Sequence, residues 1–127
     1  MVMAAPFGMT ILKGRDLIVE VANPAMLSIW GRSEDQILGK MLMDVFPELD
    51  GQPFPIMLNE IFRTGNPLAV REIAVDIMGA DGMSKRLFVD FTYDPLFDEK
   101  GEVDAVMATV VDITATVESR KKLEQHE

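Results

Sequence analysis

Carboxylates are the groups most available for chemistry in this chain. Glu20, Asp76 and Asp90 stand within apolar runs, and Asp90, Asp94, Asp98, Glu99, Glu102 and Asp104 crowd the region around Lys100. A carboxyl held against an apolar face has a raised pKa and can serve as a general acid or base. Clustered carboxylates can hold a divalent cation. The alternation of the runs turns Glu20, Asp76 and Asp90 outward, so a small α+β enzyme with a carboxylate base requires one of them to be buried after all. The acidic region reads as a solvated hairpin tip, because its spacing does not match a calcium loop of the D-x-[DN]-x-[DN]-G type. With no Cys there is no thiolate nucleophile, no disulfide and no thiolate-held metal. The one His, His126, lies next to last on a polar tail and reads as a solvated surface residue. No G-x-S-x-G, P-loop, H-E-x-x-H or dinucleotide fingerprint is present. The domain is therefore expected to be non-catalytic, with no metal site.

If catalysis is absent, the remaining chemistry is that of a cavity, and a cavity needs elements to wall it. Between Lys85 and Thr114, large apolar residues recur at every second position, in Val89, Phe91 and Tyr93 and again in Val106, Ala108 and Val110. A period of two marks strands that show one face to a core. Asp98 and Gly101 bound a type I turn between them, so this stretch reads as a long antiparallel hairpin. Thr10–Lys13 and Leu17–Ala22, joined through Gly14-Arg15-Asp16, suggest a second hairpin near the N-terminus. Here Val19 and Val21 are expected to share a face with Leu17. Leu68–Ile77 reads as a further strand, carrying Val70, Ile73, Val75 and Ile77.

Helices fill the middle. Asn23 caps a first helix at Pro24 and Gly31 ends it, with Trp30 as a helix residue under the sheet. Ser33-Glu34-Asp35-Gln36 has capping-box spacing for a second short helix, and Met41–Phe46 reads as another turn or two before Pro47. Phe54, Met57, Leu58, Ile61 and Phe62 make one apolar stripe of a longer helix that stops at Gly65. After Thr114 the chain becomes a polar helix, with Val117 and Leu123 as its large apolar residues. Strands segregated from helices in this way give an α+β domain with an antiparallel sheet.

The inner face of that sheet and the long helix would enclose apolar space. The candidate lining is Val19, Val21, Leu42, Leu58, Phe62, Phe91, Tyr93, Ala108 and Val110, with small Ala108 leaving room at the centre. A close-packed core without ligand is the competing reading. The other face of the hairpin carries Phe88, Met107, Thr109 and Val111, more apolar than a solvated face should be, so it is expected to meet a partner.

The net charge of −9 opposes phosphate binding, so no nucleic-acid partner is expected. No window approaches the length of uncharged apolar chain that spans a bilayer, and the first residues lack the basic and apolar regions of a signal peptide. A cytoplasmic domain without membrane insertion is expected.

Taken in order, several phrases resemble a known family. They are Asn23-Pro24-Ala25, Gly31-Arg32-Ser33, Ile37-Leu38-Gly39-Lys40, Phe46-Pro47-Glu48-Leu49, Thr64-Gly65, Tyr93-Asp94-Pro95-Leu96, Gly101 and Asp112-Ile113-Thr114. Together they resemble a PAS domain, nearest to those of bacterial sensor histidine kinases. The resemblance implies a five-stranded antiparallel sheet in the order 2-1-5-4-3, with helices and a pocket on one face. It implies a short N-terminal segment over residues 1–8, the PAS domain over 9–114, and a C-terminal linker helix over 115–127. It also implies a homodimer, an output domain in the same chain, and a signal leaving through Asp112 and Thr114. Thr114 would cap the linker helix, and Val117 with Leu123 would begin a coiled coil. Replacing Asp112 by Ala should then uncouple linker from sheet.

Departures from the family pattern bear on cofactors. Light-oxygen-voltage domains need a Cys in a G-x-N-C phrase, and Gly39-Lys40-Met41-Leu42 puts Leu42 at the adduct position. The Gln such domains place before the D-[IV]-T aspartate is Val110 here. Haem-binding members use a His on the long helix, and residues 52–64 hold none. Covalent flavin and His-ligated haem are therefore not expected, nor is a Cys-linked coumaric acid. A small-molecule receptor, for an apolar ligand or non-covalently held flavin, stays as the second reading of function. His126-Glu127 resembles the His-Glu pair of a kinase phosphoacceptor segment but lacks the surrounding apolar residues.

Overall fold

The computed structural model describes residues 7–125, so His126 and most of the N-terminal segment lie outside the described residues. The period-two runs form five strands: β1 (Gly8–Lys13), β2 (Ile18–Ala22), β3 (Leu68–Met78), β4 (Ser84–Phe97) and β5 (Val103–Asp112). They make one antiparallel sheet in the order β2-β1-β5-β4-β3. The β4–β5 hairpin sets its register. Phe91 faces Val110 and Tyr93 faces Ala108, and across β5 the same Ala108 faces Thr10 of β1. Cross-strand partners share a face, so Thr10, Phe91, Tyr93, Ala108 and Val110 line one side of the sheet.

Four helices cover that inner side: α1 (Pro24–Trp30), α2 (Glu34–Ile37), α3 (Leu42–Val45) and α4 (Phe54–Thr64), with a 3-10 turn at Pro47–Leu49. Asn23 starts α1 and ties it to the sheet. Its Oδ1 accepts from Met26 N–H and from Met9 N–H, both at 2.9 Å, and its Nδ2 donates to the Phe7 carbonyl. The residue is completely buried. Gly31 ends α1 at φ 68°, a left-handed conformation in which a Cβ is strained. The stripe on α4 buries Phe54, Leu58 and Ile61.

Both free edges of the sheet are covered from the helical side. Along β2, Val19 N–H donates to the Lys40 carbonyl, Gly39 N–H to the Val19 carbonyl, and Leu42 N–H to the Leu17 carbonyl. Along β3, Gln52 pairs with Asp76 in both directions: Nε2 donates to Asp76 O at 2.8 Å and Oε1 accepts from Asp76 N–H at 3.0 Å. Arg32 donates to Met78 O at 2.9 Å, and the Glu48 carboxylate accepts from Met78 N–H. These side chains occupy edge groups that would otherwise invite another strand.

Two bulges break the period. In β2 the register with β1 shifts between Ile11 and Leu12, so Val21 pairs with Ile11 while Val19 pairs with Leu12. Val19 is inward and fully buried, whereas Val21 shares the outer face with Ile11. The expectation that Val19 and Val21 share a face is thus corrected by one extra residue, Glu20. In β3, Val70 pairs with Phe91 but Ile73 pairs with Val89, leaving Arg71 and Glu72 opposite Asp90. Glu72 adopts φ 53°, unusual for a side-chain-bearing residue, and its N–H is held by Asp90 Oδ1 at 2.8 Å.

The last helix, α5 (Thr114–Gln125), lies on the opposite, outer side. Lys121 Nζ sits 4.8 Å from the ring centre of Phe88. Val117 is buried to 1% exposure although it stands apart from the main core cluster, while Leu123 is 69% exposed. Six residues apart on a helix, the two point in widely different directions, so they do not form one coiled-coil seam. Among the described residues, no helix is long and apolar enough to cross a membrane.

Candidate functional site

An apolar cavity of about 90 Å³ lies between the sheet and the helices. Thr10 and Leu12 of β1, Ala108 and Val110 of β5, and Leu87, Val89, Phe91 and Tyr93 of β4 form its floor. Val75 and Ile77 of β3 close one side. Met26, Ile29 and Trp30 of α1, Leu42 of α3, Leu49 and Phe54 form the roof. The aromatic packing around it is continuous: Phe91 and Tyr93 have ring centres 4.4 Å apart, and Phe54 meets Phe91 edge-on at 5.9 Å. Among the described residues no charged one borders the space.

Five of the nine residues expected to line a pocket border this cavity: Leu42, Phe91, Tyr93, Ala108 and Val110. The other four lie elsewhere for separate reasons. Val21 is carried to the outer face by the Glu20 bulge. Val19 and Leu58 are sealed within the core rather than beside the open space. Phe62 sits at the far end of α4, half-buried under the Arg15 guanidinium at 5.7 Å. Trp30, expected only as a helix residue under the sheet, borders the cavity. Val89 was expected on the inner face and Val75 and Ile77 as apolar members of their strand; Leu87, two residues before Val89, continues the same alternation and borders the cavity with them. The positions where a flavin adduct and its Gln would stand, Leu42 and Val110, both face the same cavity.

The carboxylates stay outside. Glu20 lies 3.6 Å from Lys13 Nζ on the surface. Asp76 accepts from Arg86 Nε and Nη2 at 2.8 and 3.0 Å, and that hydrogen-bonded guanidinium holds its carboxyl below the usual carboxylate range. Asp90 accepts from the Glu72 amide. At the β4–β5 turn, the Asp98 carboxylate accepts from Lys100 N–H and Glu102 N–H, so one acidic side chain there shapes the turn. Among the described residues no group of carboxylates and His is placed to hold a metal ion. Among the described residues bordering the cavity, Tyr93 has a displaced pKa: burial pushes its phenol up, so it stays protonated.

The exit from the sheet is built around Phe88. Leu87 and Val89 on either side of it wall the cavity, while Phe88 points outward beneath α5. Its N–H donates to Thr114 Oγ1 at 3.0 Å, and its carbonyl accepts from Ile113 N–H at 2.8 Å. Thr114 Oγ1 donates in turn to Asp112 Oδ1, which also accepts the Thr114 N–H at 2.9 Å. Asp112, rather than Thr114, therefore takes up an N-terminal amide of α5, and the Thr114 hydroxyl bridges helix to strand. Further along, Arg120 grips Glu72 with two hydrogen bonds of 2.7 and 2.8 Å. The Arg120 guanidinium holds the Glu72 carboxyl below its ordinary range. Of the residues expected at a partner interface, Phe88 is thus covered by the chain's own helix. Met107 and Thr109 are half-buried and Val111 is exposed.

A five-stranded antiparallel sheet in the order 2-1-5-4-3, roofed on one face by short helices, is the PAS architecture. The family model described as the PAS fold matches residues 3–118, nearly the whole chain, and the chain belongs to that family of sensory domains. Solved structures agree on the fold. The PAS domain of Bordetella pertussis BvgS is 20% identical, with a TM-score of 0.69 over 98% of this chain and 89% of that one. A sensory box sensor histidine kinase from Vibrio cholerae is 15% identical, with a TM-score of 0.64 over 89% and 85%. An RNA-binding light-oxygen-voltage receptor is 21% identical, with a TM-score of 0.71 over 97% of this chain. This chain spans 33% of that receptor's length.

Proposed function

We propose that this domain is a non-catalytic sensory and dimerisation module of a bacterial signal-transduction protein, a cytoplasmic sensor histidine kinase being the favoured parent. The state of the cavity or of a dimer contact would reach an output domain through α5. One observation carries this reading: a single short stretch of β4 serves both sides. Leu87 and Val89 wall the cavity, and Phe88 between them holds α5: its main chain bonds Thr114 Oγ1 and Ile113 N–H, and its ring lies under Lys121. A shift of that strand changes both faces together, which is the physical requirement for transmission. Met107, Thr109 and Val111, on the outer face of β5, would form the homodimer contact. Covalent flavin and His-ligated haem are not part of this reading, because Leu42 and Val110 occupy the flavin positions and residues 52–64 hold no His.

The test is Thr114→Val in the full-length parent protein, assayed for its output activity. Valine keeps the shape but removes the hydroxyl that joins Phe88 to Asp112, so regulation by the input should be lost while the protein stays folded. Normal regulation in the variant would sink the proposal. A second reading, a small-molecule receptor, is favoured by the cavity itself.

A further inference from the structure

The cavity wall holds hydrogen-bond donors that the protein does not use. Tyr93 and Trp30 both border the space and are 7% and 8% exposed. Among the described residues neither the Tyr93 hydroxyl nor the Trp30 indole N–H has a protein partner, yet no fully sealed side-chain polar atom is left without one. Both donors therefore keep some accessible surface, and both side chains border the cavity. Buried tyrosines and tryptophans ordinarily find a partner for these groups.

The surroundings limit what that partner is. An ionised ligand would face several kcal/mol of uncompensated desolvation, because among the described residues no charged side chain borders the cavity. The Tyr93 phenol stays protonated, so it offers a donor and calls for an acceptor. Size is the third limit. A cavity of about 150 Å³ holds one benzene, whereas this one measures about 90 Å³. A ligand held wholly within this space is smaller than a flavin ring or a haem, and Met26 in the roof gives some latitude.

We propose that the cavity binds a small neutral carbonyl compound, a short-chain ketone, aldehyde or amide of about four or five non-hydrogen atoms, whose oxygen accepts from Tyr93 and whose carbon chain meets the apolar walls. This rests on the receptor reading above for its purpose, but the binding does not depend on α5. Its failure would leave the Thr114→Val experiment intact, and the reverse also holds.

The experiment is an NMR titration of the purified chain with xenon, 2-butanone and butyrate at neutral pH. Xenon and 2-butanone should shift Leu42, Ala108 and Val110 resonances, and butyrate, a charged molecule of similar size, should not. Tyr93→Phe keeps the ring and removes a hydroxyl with no protein partner, so the fold should persist, as shown by unchanged xenon shifts. In that variant 2-butanone should bind about fivefold more weakly. Equal 2-butanone affinity in Tyr93→Phe, binding of butyrate at the same residues, or no response to either xenon or 2-butanone would each overturn the proposal.

Discussion

Replacing Val117 by Ala should release α5 from the sheet while leaving the inner core in place. Val117 is 1% exposed and is the large apolar residue by which α5 meets the outer face. Removing two buried methyl groups costs about 1.6 kcal/mol in transfer free energy, and the small cavity left behind raises this to about 2 kcal/mol. Alanine is the better helix former by about 0.6 kcal/mol, which offsets part of the loss. The net weakening of docking is about 1.4 kcal/mol, or roughly tenfold in the docked-to-undocked ratio. Amide hydrogen exchange reads that ratio directly where α5 opens locally. Exchange from Val117 to Lys121 should accelerate about tenfold, while amides of Phe91 and Ala108 follow only the global stability change. Arg120–Glu72 and Lys121–Phe88 are too exposed to compensate, since surface pairs contribute about 0–1 kcal/mol. If the α5 amides exchange at the wild-type rate in Val117→Ala, the helix is not held by this contact and the reasoning about the exit fails.

Three further outcomes follow from the same contacts. Asn23→Ala should destabilise the domain by about 2–4 kcal/mol in urea unfolding, because two backbone N–H groups and one carbonyl lose a fully buried partner at once; a change within experimental error would contradict that role. Glu72 has a lowered pKa against the ordinary value of 4.5. Its contribution to α5 docking is therefore complete above about that pH and lost as pH falls through the lower folded value. Exchange of α5 amides should rise in that acid window before the core unfolds, and high salt should mimic part of the effect. Glu72→Lys should loosen α5 by placing like charges beside Arg120 and Lys121, and Glu72→Lys with Arg120→Glu should recover wild-type exchange; equal exchange in single and double variants would show that the pair does not act on docking.

The sheet was largely legible because period-two alternation is a direct consequence of pleating. Val89, Phe91 and Tyr93 and, in the second run, Val106, Ala108 and Val110 specify both strands and their inner face, and the structure pairs Phe91 with Val110 and Tyr93 with Ala108. The strand order came from the family resemblance and not from periodicity. The bulges were harder. Nothing in Leu17–Ala22 announces that Glu20 is an extra residue, so Val21 was assigned to the wrong face. In β3 a signal was present: Val70 to Ile73 is a step of three in a run otherwise stepping by two, and the polar pair Arg71-Glu72 fills it. That step is what turns Glu72 toward Arg120. For the cavity, alternation supplied the floor, but the roof depends on how α1 and the Leu49–Phe54 segment cross the sheet, a tertiary outcome with no local pattern. The exit helix was read from its composition, and composition does not tell that Val117 is taken up by the sheet while Leu123 faces solvent.

The central claim is that the cavity and α5 report on each other through β4. The most direct measurement is amide exchange along α5 in Ala108→Val, which adds two methyl groups at the cavity floor and touches nothing on the outer face. Exchange between Thr114 and Lys121 should change at least about threefold, with matching shifts at Phe88. Changes confined to the cavity-lining residues, with α5 exchanging as in the wild type, would contradict it.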